Sequence, residues 1–215
     1  MSRKTSNVTI SCLTLLVALA WPMTARGAAA FAPVPDISRL LTPENIARLE
    51  KGEVIKENET IRDSSGNDRG RAVALVIIHA PMDKVIAAID DFETYPQWMP
   101  NVEHTKVLLR QGNRRDVTFV LDVLWNEVKY TCIHRIDPDR GVFEWRMDDS
   151  REKKNVADST GAWVMKSLGD NKTAVAYTVL LDTGISIPDF IEEYLAGSSL
   201  PKVARALKDR VEGVK

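Results

Sequence analysis

The chain has 215 residues, 44% of them hydrophobic and 27% charged, with a formal net charge of -1. That is enough apolar material for one domain with a real core, and it offers no basic face of the kind nucleic-acid binding needs. Apolar residues recur at strand or helix spacing throughout, which excludes a disordered chain, and no polybasic patch marks a membrane surface.

Residues 1–29 read as a signal peptide. Arg3 and Lys4 supply the positive start, and Val8 to Trp21 is an apolar run diluted by Thr9, Ser11 and Thr14. Small residues suited to cleavage follow Pro22, either Ala25-Arg26-Gly27 or Ala28-Ala29-Ala30. The run is short and polar for a membrane span, and the competing reading is an uncleaved amino-terminal anchor. Cys12 lies inside the apolar run after Thr-Ile-Ser, which argues against a lipoprotein. Export to a periplasm or to the medium is the expectation. The mature chain then keeps only Cys132, so no intrachain disulfide forms. Its place among apolar neighbours in a strand pattern predicts a buried, inert thiol.

Residues 30–52 form an extension. Pro33 and Pro35 make the lead-in extended, and Thr42-Pro43-Glu44 starts a short helix with a hydroxyl cap, a first-turn proline and an acid. Gly52 ends it. The helix is expected to pack on the main body, a flexible spacer being the alternative. The main domain occupies residues 53–215. Glu53–Ile61 and Arg71–His79 read as strands joined by Asp63-Ser64-Ser65-Gly66-Asn67-Asp68. That turn lacks the terminal glutamate of a calcium loop and reads as a hairpin.

Pro81 is placed as a first helical residue, with Val85, Ile86, Ile89 and Phe92 at helical spacing. From Asp91 to Val102 the chain is aromatic, yet Pro96 and Pro100 limit it to one helical turn. Six strands follow, at Val102–Arg110, Arg115–Leu124, Val128–Ile136, Val142–Met147, Thr160–Leu168 and Ala174–Asp182. Their short separators, such as Gln111-Gly112-Asn113 and Gly169-Asp170-Asn171, predict an antiparallel meander. Asp148 to Asp158 is a longer charged loop, read as a solvated surface. Alternation puts Val117, Phe119 and Leu121, then Tyr130, Cys132 and His134, then Phe143 and Trp145, on one face, leaving the other to water. Ile187-Pro188-Asp189 opens a carboxy-terminal helix with Phe190, Ile191, Tyr194 and Leu195 on its apolar side. Gly197-Ser198-Ser199 interrupts it, and Pro201 restarts it with serine capping. Only this helix is long enough to cover the aromatic face.

The run Val85-Ile86-Ala87-Ala88-Ile89-Asp90-Asp91-Phe92-Glu93-Thr94-Tyr95-Pro96-Gln97-Trp98-Met99-Pro100 resembles the V…D…YP.W.P signature of the START-like (SRPBCC) superfamily, in its coenzyme Q-binding and polyketide cyclase/dehydrase branch. Gly161-Ala162-Trp163 resembles that branch's G-x-W strand, and Ile187-Pro188 with Ser199-Leu200-Pro201 its terminal helix. The resemblance spans residues 53–215. It implies an α+β helix-grip fold, a curved antiparallel sheet wrapped around a long C-terminal helix, with two short helices after the first strands. The export signal and the extension are not part of the minimal family unit.

The resemblance also implies a cavity between sheet and helix. Tyr95, Trp98, Phe119, Trp125, Tyr130, His134, Phe143, Trp145, Trp163, Tyr177, Phe190 and Tyr194 are the expected ligand-binding residues. The aromatic strand residues among them either line a cavity or fill a core. The expected partner is a hydrophobic small molecule (a lipid, isoprenoid or quinone), with transient membrane contact and no nucleic acid. His79, His104 and His134 are scattered, so no metal site is expected, and neither a phosphate loop nor a nucleophile elbow is present. No cofactor is implied. One alternative is a cyclase or dehydratase in which His134 acts as proton donor or base. Another is an interaction domain with a filled core. Arg115, at a strand start, reads as a solvated side chain, the alternative being a contact with a ligand's polar head.

Overall fold

The computed structural model describes residues 31–62, 68–123, 125–156, 158–169, 171–181 and 199–214. A 3-10 turn at Ile37–Leu40 and helix α1 (Pro43–Glu50) precede strands β1 (Ile55–Arg62) and β2 (Asp68–Ile78). Helix α2 (Met82–Asp90), a 3-10 turn at Phe92–Thr94 and the single turn α3 (Tyr95–Trp98) follow. Then come β3 (Val102–Gln111), β4 (Arg114–Val123), β5 (Asn126–Asp137), β6 (Val142–Met147), β7 (Thr160–Gly169) and β8 (Lys172–Leu181), and finally helix α4 (Leu200–Glu212).

Local chemistry accounts for most of these boundaries. The Thr42 hydroxyl accepts from Asn45 N at 3.2 Å, and Pro43 occupies the first turn, where its missing N–H costs nothing. Gly52, just past α1, takes φ 81, the left-handed region that only glycine adopts without strain. Two expectations change in detail. Pro81 is the N-cap of α2 and Met82 its first residue. Ser199 stands at the N-cap of α4 but in helical backbone geometry, and makes no side-chain capping bond. The expected helix start at Ile187-Pro188-Asp189, with Phe190 and Tyr194, lies outside the described residues.

The eight strands form one sheet in the order β1-β2-β8-β7-β6-β5-β4-β3, and every neighbouring pair is antiparallel. From β3 to β8 consecutive strands pair, as the meander reading expects, with the longer charged loop between β6 and β7. The one long-range closure is β2 against β8, running from Gly70↔Leu181 to Ile78↔Thr173. Register shifts in β3, between Val102 and His104 and between Val107 and Leu109, bend the β3–β4 end of the sheet. α4 lies against β2 and β8 and meets α2 and α3, so the sheet grips a terminal helix. Ala204 and Leu207 are its fully buried contacts.

The second face is not left to water, which corrects the expectation from alternation. Ile37, Leu40 and Leu49 pack on Ile55, Val73, Leu75, Ile77, Ala162, Val164, Ala174 and Ala176. The extension is therefore a strap across the outer face of β2, β8 and β7. Arg71, buried beneath it, donates to Glu59 and to the Pro33 carbonyl, which satisfies a charge that would otherwise be costly to bury. Across β4, β5 and β6 the same face carries the pairs Arg114–Asp116 and Arg135–Glu144, with Phe31 lying under the guanidinium groups of Arg135 and Arg146.

Candidate functional site

The segment from Asp91 to Val102 turns the chain from helix α2 into the meander, and its side chains are tied down. The Tyr95 hydroxyl donates to the Ile89 carbonyl at 2.7 Å, closing the end of α2. Thr105 on β3 donates to the Phe92 carbonyl at 2.7 Å, and the Trp98 indole donates to the Thr94 hydroxyl at 3.3 Å. Tyr95 is buried in the core, whereas Trp98 is half-buried against its edge. The corner is thus part plug and part rim.

Inside the sheet the aromatic side chains fall into two groups. Phe92 sits among Tyr95, Phe119, His134 and Phe143, with ring centroids 4.8–6.1 Å apart. Phe119 stacks on Tyr130 at 5.7 Å. On the other side, Trp145 stacks on Tyr177 at 5.3 Å, and Trp163 packs on Tyr177 at 4.4 Å. Gly161 explains this second group. A Cβ there would stand 2.1 Å from the Thr178 carbonyl oxygen and 2.5 Å from the Trp145 ring. Trp145 lies across a backbone that only glycine leaves bare, which gives the G-x-W words a physical meaning.

His134 is buried on the inner face with its Nδ1 3.3 Å from the Arg115 carbonyl oxygen. Burial among aromatic rings pushes its pKa down to about 4, so the imidazole is neutral near pH 7. Burial also pushes the phenols of Tyr95, Tyr130 and Tyr177 upward, leaving them protonated. Cys132 is free and buried, and its thiol is pushed well up by burial, as an inert core residue requires. Arg115 departs from expectation. Its Nε and Nη2 each meet one Asp90 oxygen at 2.9 Å, and its Nη1 donates to the carbonyls of Gly112 and Arg114. It is a clamp between α2 and the β3–β4 turn, not a solvated side chain. No local pattern joins residues 90 and 115, and only the folded register brings them together.

Tyr95, Phe119, His134, Phe143, Trp145, Trp163 and the half-buried Tyr130 and Tyr177 therefore share the inner face. His134 packs directly on Phe92, Phe119 and Phe143. Trp98 borders the cluster. Trp125 stands apart: it is 95% exposed, with φ 69, on the two-residue β4–β5 turn. Asp122 N donates to the Asn101 carbonyl at 2.9 Å, which places that turn at the same end of the sheet as the Trp98 corner. The charged loop folds back on this end, with Lys129 and Lys154 exchanging two backbone hydrogen bonds. A separate open groove of roughly 400 Å³ lies outside, between Val34–Ser38 and Arg140, Val142 and Val164. It contains none of the expected ligand-binding residues. Among the described residues, no group of three His, Cys, Asp or Glu is placed to hold a metal ion.

The inner face is apolar but not evenly closed. Leu121, Tyr130, Tyr177 and Val179 face inward yet remain half-buried, as do Trp98, Met99 and Val203 around them. A packed core leaves few such side chains.

The family described as polyketide cyclase / dehydrase and lipid transport matches residues 69–212, from β2 to the end of α4. No curated protein matches the sequence. Among solved structures, a STAR-related lipid transfer protein of Xanthomonas axonopodis superposes with a TM-score of 0.59 at 14% identity, covering 72% of this chain and 98% of that one. A protein of Thermus thermophilus gives 0.58 at 19% identity, covering 67% and 99%. A START superfamily protein of Mycobacterium smegmatis gives 0.57 at 18% identity, again covering 67% and 99%. At these identities the likeness is one of fold: the helix-grip architecture is the same, with the amino-terminal strap added to it.

Proposed function

Because the chain belongs to the polyketide cyclase / dehydrase and lipid transport family of the START-like superfamily, we propose that it is a carrier. It holds a hydrophobic small molecule (a lipid, isoprenoid or quinone) between the inner face of the sheet and the terminal helix, and acts outside the cytoplasm. The observation that carries this reading is the half-buried inner ring of Leu121, Tyr130, Tyr177 and Val179. Those side chains are apolar, face inward and lack full cover. A ligand would supply it, and each methylene taken out of water stabilises the complex by about 0.8 kcal/mol. The protonated Tyr130 and Tyr177 phenols offer the few polar contacts that orient an otherwise apolar guest.

Carriage is favoured over cyclase or dehydratase chemistry by the state of His134. A general base works best with a pKa near the working pH, and burial holds this one at about 4. Export rests on the leader-like residues 1–29, with the domain beginning after residue 52 and the strap between them. Trp125, exposed beside the Trp98 corner, suits a brief contact with a membrane surface during loading, because an indole favours the boundary between headgroup and acyl chain.

Purification from the native compartment followed by native mass spectrometry tests the reading. The expected result is a shortened amino terminus and a co-purifying lipid or quinone. Protein that stays empty and takes nothing up from liposomes overturns the carrier reading, and an intact Met1 in the cytoplasm overturns export.

A further inference from the structure

His134 is a buried polar group of the inner face set among aromatic rings, and its hydrogen-bonding state follows from its neighbours. The Arg115 oxygen that faces His134 Nδ1 at 3.3 Å is a carbonyl and can only accept, so that contact assigns the imidazole proton to Nδ1. A neutral ring with its proton on Nδ1 presents Nε2 as a bare acceptor. The rings of Phe92, Phe119 and Phe143, with centroids 4.8, 5.9 and 5.8 Å away, have no polar atoms to meet it, and the other backbone group beside the imidazole, the Cys132 carbonyl, can only accept. Phe119 carries the aromatic surface on to the half-buried Tyr130, so His134 is continuous with the incompletely covered part of the inner face.

Charge at this end of the sheet is already committed. Arg115 spends Nε and Nη2 on the two Asp90 oxygens and Nη1 on two backbone carbonyls, and Asp90 also holds Arg110 at 3.0 Å. A carboxylate or phosphate arriving beside His134 would meet an acceptor and, among the described residues, no uncommitted cation, which is the costliest way to bury an anion. We propose that His134 Nε2 receives a hydrogen bond from a neutral hydroxyl at the buried end of the ligand, so that the carrier selects an alcohol or phenol over an acid. The inference rests on the carrier reading above and specifies the chemistry of its guest. Burial supports it by keeping the ring neutral well below pH 7, with its pKa near 4.

Three probes of one chain length separate the possibilities: dodecanol, its methyl ether and dodecanoate, each displacing Nile red from the unaltered chain at neutral pH. The alcohol is expected to bind roughly tenfold more tightly than the ether, which has no proton to donate, and more tightly still than the carboxylate. His134→Phe is expected to bring alcohol and ether to the same affinity, because the aromatic volume remains while the acceptor is gone. Equal affinity of alcohol and ether in the unaltered chain overturns the inference and leaves the carrier reading standing. So does tightest binding of dodecanoate, or a His134→Phe chain that still prefers the alcohol. Failure to bind Nile red or any of the three probes overturns both readings. The comparison on the unaltered chain needs no variant, so it decides the matter even if His134→Phe does not fold.

Discussion

On their inner face β7 and β8 carry Trp163, Met165, Val175 and Tyr177; on their outer face they carry Ala162, Val164, Ala174 and Ala176. The strands are the same and only the parity differs. Small outer side chains let a 3-10 turn and the eight-residue helix α1 come close, and Ile37 and Leu49 are buried there at 3% and 1% exposure. Helix α4 lies against β2 and β8 on the inner face, and several side chains there remain half-buried. Small side chains let the strap pack tightly at Leu49, with the open groove left beside Val34–Ser38, whereas the inner face keeps half-buried apolar side chains. On the proposed carrier reading, the strapped outer face is the seal and the inner face the container.

The strongest way to break that contrast is to disturb the residue on which the inner aromatic layer lies. Gly161→Val places a Cβ where the Thr178 carbonyl and the Trp145 ring already stand. The expected cost is about 4 kcal/mol or more, because backbone and a buried indole must both move. Soluble yield and thermal unfolding measure it. A variant that melts within a few degrees of the parent would show that Trp145 is freer than the packing implies.

Next in size is the seal. Leu49→Ala is expected to cost about 3 kcal/mol, the usual penalty for a cavity in a closed cluster. Ligand affinity should be unchanged wherever the protein is still folded, since Leu49 lies on the far side of the sheet. Denaturant unfolding and Nile red titration on the same sample read the two effects. If affinity fell in step with stability, strap and container would be coupled and the contrast between the faces would fail.

A third test uses pH and concerns the inner face alone. The folded pKa of His134 is about 4, below the ordinary histidine value near 6.5. Between those values the unfolded chain binds a proton that the folded chain does not. Stability therefore rises with pH across that window, is fully present above about pH 6.5 and is lost as pH falls towards 4. From near pH 7 to about pH 5 the loss from this group is about 2 kcal/mol. His134→Phe should flatten the curve over that interval. Parallel pH–stability curves for parent and variant would mean that the imidazole is solvated, and would remove the apolar cage from the description of the site.

How much of this is legible in the sequence depends on the range of the interaction involved. Local signals carry far: Thr42-Pro43, Gln111-Gly112-Asn113 and the alternation through Val117, Phe119, Cys132 and His134 place elements within a residue or two of where they lie. The inward group of Tyr95, Phe119, Phe143, Trp145, Trp163 and Tyr177 follows from the same alternation. The cover on the outer face does not, because nothing near Ile37 or Leu49 says what they will touch. A sign of it was present in Ala72-Val73-Ala74-Leu75-Val76-Ile77-Ile78, an unbroken apolar run of the kind that belongs to a strand buried on both faces. The Asp90–Arg115 clamp has no local sign at all. Trp125 misleads for a different reason: Trp125-Asn126-Glu127 reads correctly as a turn, but an aromatic side chain there suggests a ligand contact, whereas it is 95% exposed.

That turn gives the smallest expected effect and the finest test of the division between seal and container. Trp125 is 95% exposed and holds φ 69, a region that bulky side chains avoid and that asparagine and glycine tolerate well. It packs too little surface to offset that strain, so the fold itself gains nothing from tryptophan here. Trp125→Asn should leave stability unchanged or raise it by about 0.5 kcal/mol. If the side chain serves membrane contact at the Trp98 end, the same substitution should slow transfer of a fluorescent lipid analogue between vesicles while leaving equilibrium ligand affinity intact. A transfer rate equal to the parent's would remove the membrane role. A loss of stability would mean instead that Trp125 belongs with the packed residues, and that the rim of the container extends over the β4–β5 turn.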